Sequence, residues 1–190
     1  MPDLSIFTVG GWQHPIPSHR TISSHFGASR SGNRPAECGA GHCGLDFPAP
    51  VGVPVYAIHD GVVLIAQQNE IAGGAAGRYV KLEHAGGQAR SWYIHLDTVG
   101  VKAKQQVRAG QQVGTNGLTG VKNTPPHLHF ALAVKSGSGY VYIDPEPFVA
   151  NWGSSVATAP SGGGSGSTVA GGLALVAVAG LALLLWRSLR

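Results

Sequence analysis

Arg78-Tyr79-Val80-Lys81-Leu82-Glu83-His84, then Ala85-Gly86-Gly87, then Arg90-Ser91-Trp92-Tyr93-Ile94-His95 decide the fold. Two short runs of strand-forming residues flank a glycine break, which reads as a β-hairpin. The same grammar repeats on both sides, in Val53–Ile58, Val62–Ala66, His127–Val134 and Tyr140–Ile143. The last two runs are joined by Ser136-Gly137-Ser138-Gly139, a second hairpin signal. No stretch from Val51 to Ile143 holds a helical period, so the body is expected to be all-β and built of antiparallel hairpins. The 29 glycines among 190 residues, without a collagen period, agree with a turn-rich β fold and a flexible linker.

The composition excludes some functions. Hydrophobic residues make up 43% and charged residues 12%, which argues against disorder. The formal charge is +4, and Arg187 and Arg190 at the C-terminus supply half of it. No Lys/Arg cluster of the density that nucleic acid requires is present, so nucleic acid is not an expected partner.

Beyond Trp152 the character of the chain changes. Residues 153–168 form a Gly/Ser/Ala-rich linker that includes Ser161-Gly-Gly-Gly-Ser-Gly-Ser167. Val169 to Trp186 contains only Ala, Gly, Val, Leu and one Trp, and a basic tail, 187–190, closes it. As a helix this segment would span about 27 Å and is apolar on every face, which predicts a transmembrane helix over 169–186. Trp186 and the two arginines would lie at the cytoplasmic interface, leaving the body outside as part of a single-pass membrane protein. The N-terminal residues MPDLSIFTVGGWQHPIP lack the basic start and apolar run of a secretory signal. Export of the body is then awkward for a cellular protein. A phage virion membrane, or a lysin carried with the particle, is the setting that removes the difficulty, and it would add virion or membrane assembly partners.

Nine histidines are many for this length, and histidine is the commonest metal ligand. His14, His19 and His25 lie in a Pro/Ser/Arg-rich stretch without partner spacing and read as ordinary surface residues. His42-Cys43-Gly44-Leu45-Asp46 and His127-Leu128-His129 are different. Alternate residues of a strand share a face, so His127 and His129 project together. Two imidazole nitrogens and a carboxylate oxygen suit Zn2+, one per chain, and three protein ligands leave a fourth position open as catalysis requires. Trp92-Tyr93-Ile94-His95-Leu96 adds a histidine at a strand end.

These segments, with Ser24-His25-Phe26-Gly27-Ala28-Ser29-Arg30, Pro50-Val51-Gly52-Val53-Pro54-Val55-Tyr56-Ala57 and Asp60-Gly61-Val62-Val63, resemble the lysostaphin-type, or LytM-like, peptidoglycan metalloendopeptidases. The resemblance runs from about Trp12 to Phe148 and carries the motifs in order. It implies an antiparallel sheet flooring a narrow groove, with a peptidase domain over 24–152 after an N-terminal segment, 1–23. It implies His42, Asp46 and His129 as zinc ligands and His95 and His127 as the two unliganded catalytic histidines. The implied substrate is the peptide cross-link of murein, met at the cell wall. The alternative from another class is a catalytically silent protein of this fold that binds peptidoglycan or serves assembly. The loop Asn123-Thr124-Pro125-Pro126-His127 departs from the family's Ser/Thr-Gly-Pro-His and would reshape a groove wall.

Cys38 and Cys43 bracket His42. A disulfide, two free thiols and zinc ligation are the three readings. An outward-facing domain favours the disulfide, and a thiolate ligand would close the open metal position. Trp92, Tyr93, Phe130 and Asn116 are candidates for groove lining or core. Tyr56 and Tyr79 read as core, and Asp97 and Glu83 as residues that could orient a histidine.

Overall fold

A computed structural model describes residues 3–29, 41–71, 74–121 and 123–153. The chain divides into two units, Met1–Ala159 and Pro160–Arg190, and every described residue belongs to the first. Cys38, most of the linker and the apolar stretch 169–186 lie outside the described residues. Among the described residues no helix is long and apolar enough to cross a membrane.

Nine strands form one antiparallel sheet: β1 (Gly44–Pro48), β2 (Pro54–Tyr56), β3 (Gly61–Gln67), β4 (Arg78–His84), β5 (Ala89–Val99), β6 (Gln106–Val107), β7 (Gln112–Asn116), β8 (His127–Ser136) and β9 (Gly139–Ile143). Their main order is β1-β8-β5-β4-β3-β6, with β9 also on β8 and β7 bridging β5 to β2. The two hairpins read from glycine are present: β4 and β5 pair from His84↔Ala89, and β8 and β9 close at Ser136↔Gly139. Strands β1, β6 and β7 carry no strong strand signal of their own. β1 contains glycine, aspartate and proline, all poor strand formers, and is held by its ladder with β8 from Gly44↔Ala131 to Pro48↔His127. At Gly44 a Cβ would collide with the Phe130 carbonyl, so this ladder needs a residue without a side chain.

One face of the sheet is core. Leu45, Phe47, Val80, Leu82, Tyr93, Leu128, Phe130 and Leu132 are fully buried there. The N-terminal segment contributes to the same core through Phe7, Trp12 and Ile16, and a short helix, α1 (Glu146–Val149), adds Val149. Trp12 stacks on Trp152 at 5.4 Å, and Gly153 N–H donates to Trp12 O while His14 N–H donates to Gly153 O. Tyr93, Phe130 and Asn116 belong to this interior rather than to any groove, whereas Tyr56 and Tyr79 are half-buried rather than core.

Two histidines are structural. His14, expected at the surface, is buried against Phe47, and its Nδ1 accepts the Ile16 N–H at 3.1 Å. Its sequence neighbours gave no sign of this, because the ring that covers it comes from β1. Burial, with Arg20 nearby, lowers its pKa to about 4. His84 sits under the sheet between Asp60 O at 3.0 Å and Ser91 Oγ at 2.8 Å, and Ser91 Oγ is 3.1 Å from the Tyr93 hydroxyl. Burial lowers its pKa to about 4 as well.

Both rings take up protons more readily in the unfolded chain, where histidine titrates near 6.5, than in the fold. Their contribution to stability is therefore complete above about pH 6.5 and is lost as the pH falls towards about 4. Urea midpoints should drop between pH 7 and pH 5, with a shallower drop in His14→Gln. Gly44→Ala should cost about 1–3 kcal/mol in the same measurement at pH 7, because the added methyl overpacks the β1–β8 ladder.

Candidate metal centre

The centre is built on three neighbouring strands and one loop. The register pairs Asp46 of β1 with His129 of β8, and His129 with Ile94 of β5, so these side chains emerge from one face, opposite the core. His42 precedes β1 in a loop, held by its N–H to Ala28 O and by Gly27 N–H to its own carbonyl. Cys43, next to it, is disulfide-bonded, in accord with the disulfide reading of the sequence, while Cys38 lies outside the described residues.

Three donor atoms converge. His42 Nε2 lies 2.8 Å from His129 Nδ1, His129 Nδ1 lies 2.9 Å from Asp46 Oδ1, and His42 Nε2 lies 3.1 Å from Asp46 Oδ1. His42 and Asp46 are buried and His129 is nearly so. For Asp46 burial alone would favour the protonated acid, but hydrogen bonds and charge from His129 and His42 outweigh it and hold the carboxyl well below the usual range. The His129 pKa is lowered as well, first by burial, against the raising pull of Asp46. A buried anionic oxygen beside two imidazole nitrogens whose lone pairs aim at one point is a cation site, and the N,N,O donor set is that of zinc. Among the described residues it is the one such cluster.

The ligands are oriented from behind. His42 Nδ1 is 3.0 Å from His25 O and 3.3 Å from Ser24 Oγ, which fixes Nε2 as the metal-facing atom. The His25 ring in turn meets Glu146 at 2.7 Å and is exposed, as its surface reading expects.

The two remaining histidines flank the cluster. His127 shares the face of His129, two residues along β8; its Nδ1 is 2.9 Å from Pro125 O and its Nε2 is 3.9 Å from Asp46 Oδ1. Strand alternation alone would send His95 to the core side with Tyr93. It reaches the centre because β5 leaves β8 at Ile94 and joins β7 at Leu96, with His95 between them at φ +67°. A left-handed residue at a change of partner re-aims its side chain. The His95 ring comes within 4.9 Å of His127 and 6.0 Å of His129, centroid to centroid, and its Nδ1 is 2.9 Å from Thr119 O. Burial first, then His129 and His127, lowers its pKa to about 3. Thr119 is locked in place by its hydroxyl, which donates to Leu96 O and accepts from Arg78 N–H. Gly77 leaves the room this requires, since any Cβ there would strike Thr119.

All five site residues read from sequence thus meet at one place. The carbonyls of His25, Thr119 and Pro125 that orient them were not read from sequence, because a backbone acceptor leaves no signature in residue type. Asp97 and Glu83 do not orient a histidine: Asp97 pairs with Arg78 and Glu83 with Arg90. Trp92 is half-buried on the metal-bearing face.

Known proteins resemble this chain in sequence and in fold. It is 38% identical over 123 residues to the peptidoglycan DD-endopeptidase ShyA of Vibrio cholerae, covering 65% of this chain and 27% of that protein. It is 40% identical over 111 residues to the glycyl-glycine endopeptidase ALE-1 of Staphylococcus capitis, covering 58% and 30%. The chain thus spans about a third or less of the length of these curated relatives. Among solved structures, the antimicrobial peptidase lysostaphin of Staphylococcus simulans superposes with a TM-score of 0.62 at 32% identity, over 80% of this chain and 58% of that one. A zinc-containing peptidase of Vibrio cholerae superposes with a TM-score of 0.57 at 32% identity, over 70% and 39%. Residues 40–145, which contain the four site histidines and the aspartate, match peptidase family M23, and the chain belongs to that family.

Proposed function

We propose that this chain is a zinc-dependent endopeptidase that hydrolyses the peptide cross-links of bacterial peptidoglycan, with His95 and His127 as its catalytic histidines. The observation that carries the reading is the complete His42–Asp46–His129 donor triangle with two further imidazoles beside it, each steered by a carbonyl at Nδ1.

Zinc held by His42, Asp46 and His129 supplies Lewis-acid chemistry, making water acidic near neutral pH and polarising a carbonyl. The rest belongs to side chains. With Nδ1–H of His95 donated to Thr119 O and that of His127 to Pro125 O, each ring presents an Nε2 lone pair to the site. One Nε2 takes the proton of the attacking water. The imidazolium so formed then has an Nε2–H to give to the leaving amine nitrogen. The other ring lies against the developing oxyanion. Proton transfer of this kind is worth about 10² to 10⁴ in rate. The buried, water-poor setting strengthens each of these contacts.

Peptidoglycan as substrate rests on the two relatives, whose names state different bonds. The finer setting is drawn from sequence alone: a tether to a lipid bilayer through 169–186, with the peptidase facing the cell wall and a phage virion membrane as the site of assembly. Its support is the uninterrupted apolar run behind a Gly/Ser linker.

Incubation with purified murein should release cross-link peptides; a chelator should abolish release, and added zinc should restore it. Release that persists without metal would refute the zinc assignment, and binding without release would refute the enzyme. His42→Ala, Asp46→Ala and His129→Ala should each lose zinc as well as activity. His95→Ala and His127→Ala should keep one zinc per chain and lower kcat by about 10² to 10⁴, measured by metal analysis alongside turnover.

A further inference from the structure

The sheet face that carries the metal ligands continues past them. His129 pairs with Ile94, and two positions along the same strands Ala131 pairs with Trp92; Trp92 pairs in turn with Lys81 of β4. Directly paired residues of an antiparallel ladder lie on the same side, so Lys81 and Trp92 share the face of His129 and Asp46. Ala131 and Gly44 continue the row of Lys81 and Trp92 across the sheet, beside the row that carries Ile94, His129 and Asp46.

Lys81 is an unusual cation. Its cross-strand neighbours are Ile65 and Trp92, and its ammonium stands 4.7 Å over the Trp92 ring. The other two basic residues of β4 and β5 are engaged: Arg78 with Asp97 and Glu70, and Arg90 with Glu83 and the Tyr140 ring. Among the described residues Lys81 has no carboxylate within ion-pair distance. Burial, then Arg90, lowers its pKa, against the opposing pull of Glu83. A half-desolvated ammonium on an aromatic plate gains more from a carboxylate than a fully hydrated one does.

We infer that Lys81 and Trp92 form a subsite for a free carboxylate of the bound peptide, so that the chain selects cross-links that carry an anionic group near the cut. The inference rests on the endopeptidase reading and names the substrate feature that reading leaves open. Two strand spacings across and two residues along put Lys81 about 12 Å from His129, Cα to Cα, by ideal sheet dimensions. An extended peptide covers that in about three to four residues. The indole packs against the peptide stem and the ammonium pairs with its carboxylate. Lys81 touches none of the reacting atoms, so its effect belongs to binding rather than to turnover.

The test uses one cross-link peptide in two forms, with a free carboxylate or a carboxamide three residues from a scissile amide that is N-methylated to block cleavage. Affinities for the zinc-loaded full chain are measured by calorimetry. The carboxylate form should bind about tenfold tighter, the gain of one charge-assisted contact. Lys81→Met should remove that preference while leaving the carboxamide affinity in place, and Lys81→Arg should retain most of it. Raising the salt concentration should shrink the preference in the unaltered chain. Equal binding of the two forms, or a preference that survives in Lys81→Met, overturns the subsite. Hydrolysis of the unmethylated peptide is scored separately. A preference without hydrolysis would refute the endopeptidase reading and leave the subsite standing, and hydrolysis without preference would do the reverse.

Discussion

A buried carboxylate is the constraint around which this domain is arranged. Asp46 is 5% exposed on β1, at one end of the strand order, where an isolated buried negative charge would be prohibitively costly. Two imidazoles brought from different parts of the chain compensate it, one from the loop before β1 and one from β8. A cation held between the three groups completes that compensation, since imidazole lone pairs and a carboxylate oxygen are all donors to it. The β1–β8 register, the glycine that permits it and the support behind His42 are all consequences of holding three donor atoms within 3.1 Å of one another. The same arrangement suits a small divalent ion that accepts nitrogen donors, because among the described residues its donors are two nitrogens and one oxygen.

The second organising device is the change of partner along β5. Up to Ile94 the strand belongs to β8, and from Leu96 it belongs to β7. A residue at such a junction is freed from strict alternation, and His95 uses that freedom to cross from the core side to the metal side. Its left-handed backbone has a steric cost for a non-glycine residue, which the Thr119 lock and the Ala76 carbonyl, accepting the His95 N–H, offset. Strain at this position is the means by which one strand serves the interior with Tyr93 and the face of the metal ligands with His95.

How far the chain could be read in advance follows from what each feature depends on. β4 was legible to the residue because its pattern, Arg78 to His84, is local. The His-x-His of β8 was legible because strand geometry alone aligns it. β1 was legible as chemistry but not as a strand, since Gly44, Asp46 and Pro48 have no propensity to form one and take it from β8. His14 was misplaced because burial by Phe47 is purely tertiary. The aromatic and amide residues of the supposed groove divided by parity: Tyr93 and Phe130 fall inside with the core and Trp92 outside with the metal, a distinction that needs the register to His129. The disulfide at Cys43 could be argued from compartment, whereas the carbonyls behind His42, His95 and His127 were beyond any reading of side chains.

The junction of Trp152 and Gly153 with the N-terminal segment also has a mechanical meaning. Gly153 is stitched to Trp12 and His14 by main-chain hydrogen bonds, the Arg20 guanidinium donates to Trp152 O at 3.0 Å, and the Trp152 indole is wedged against Trp12 and Phe7. Tension transmitted along the chain from residue 154 would be taken up by this clasp before reaching β8 or the metal ligands. Under such a load the spacing of the donor atoms would be preserved, and the clasp would be the first part to yield.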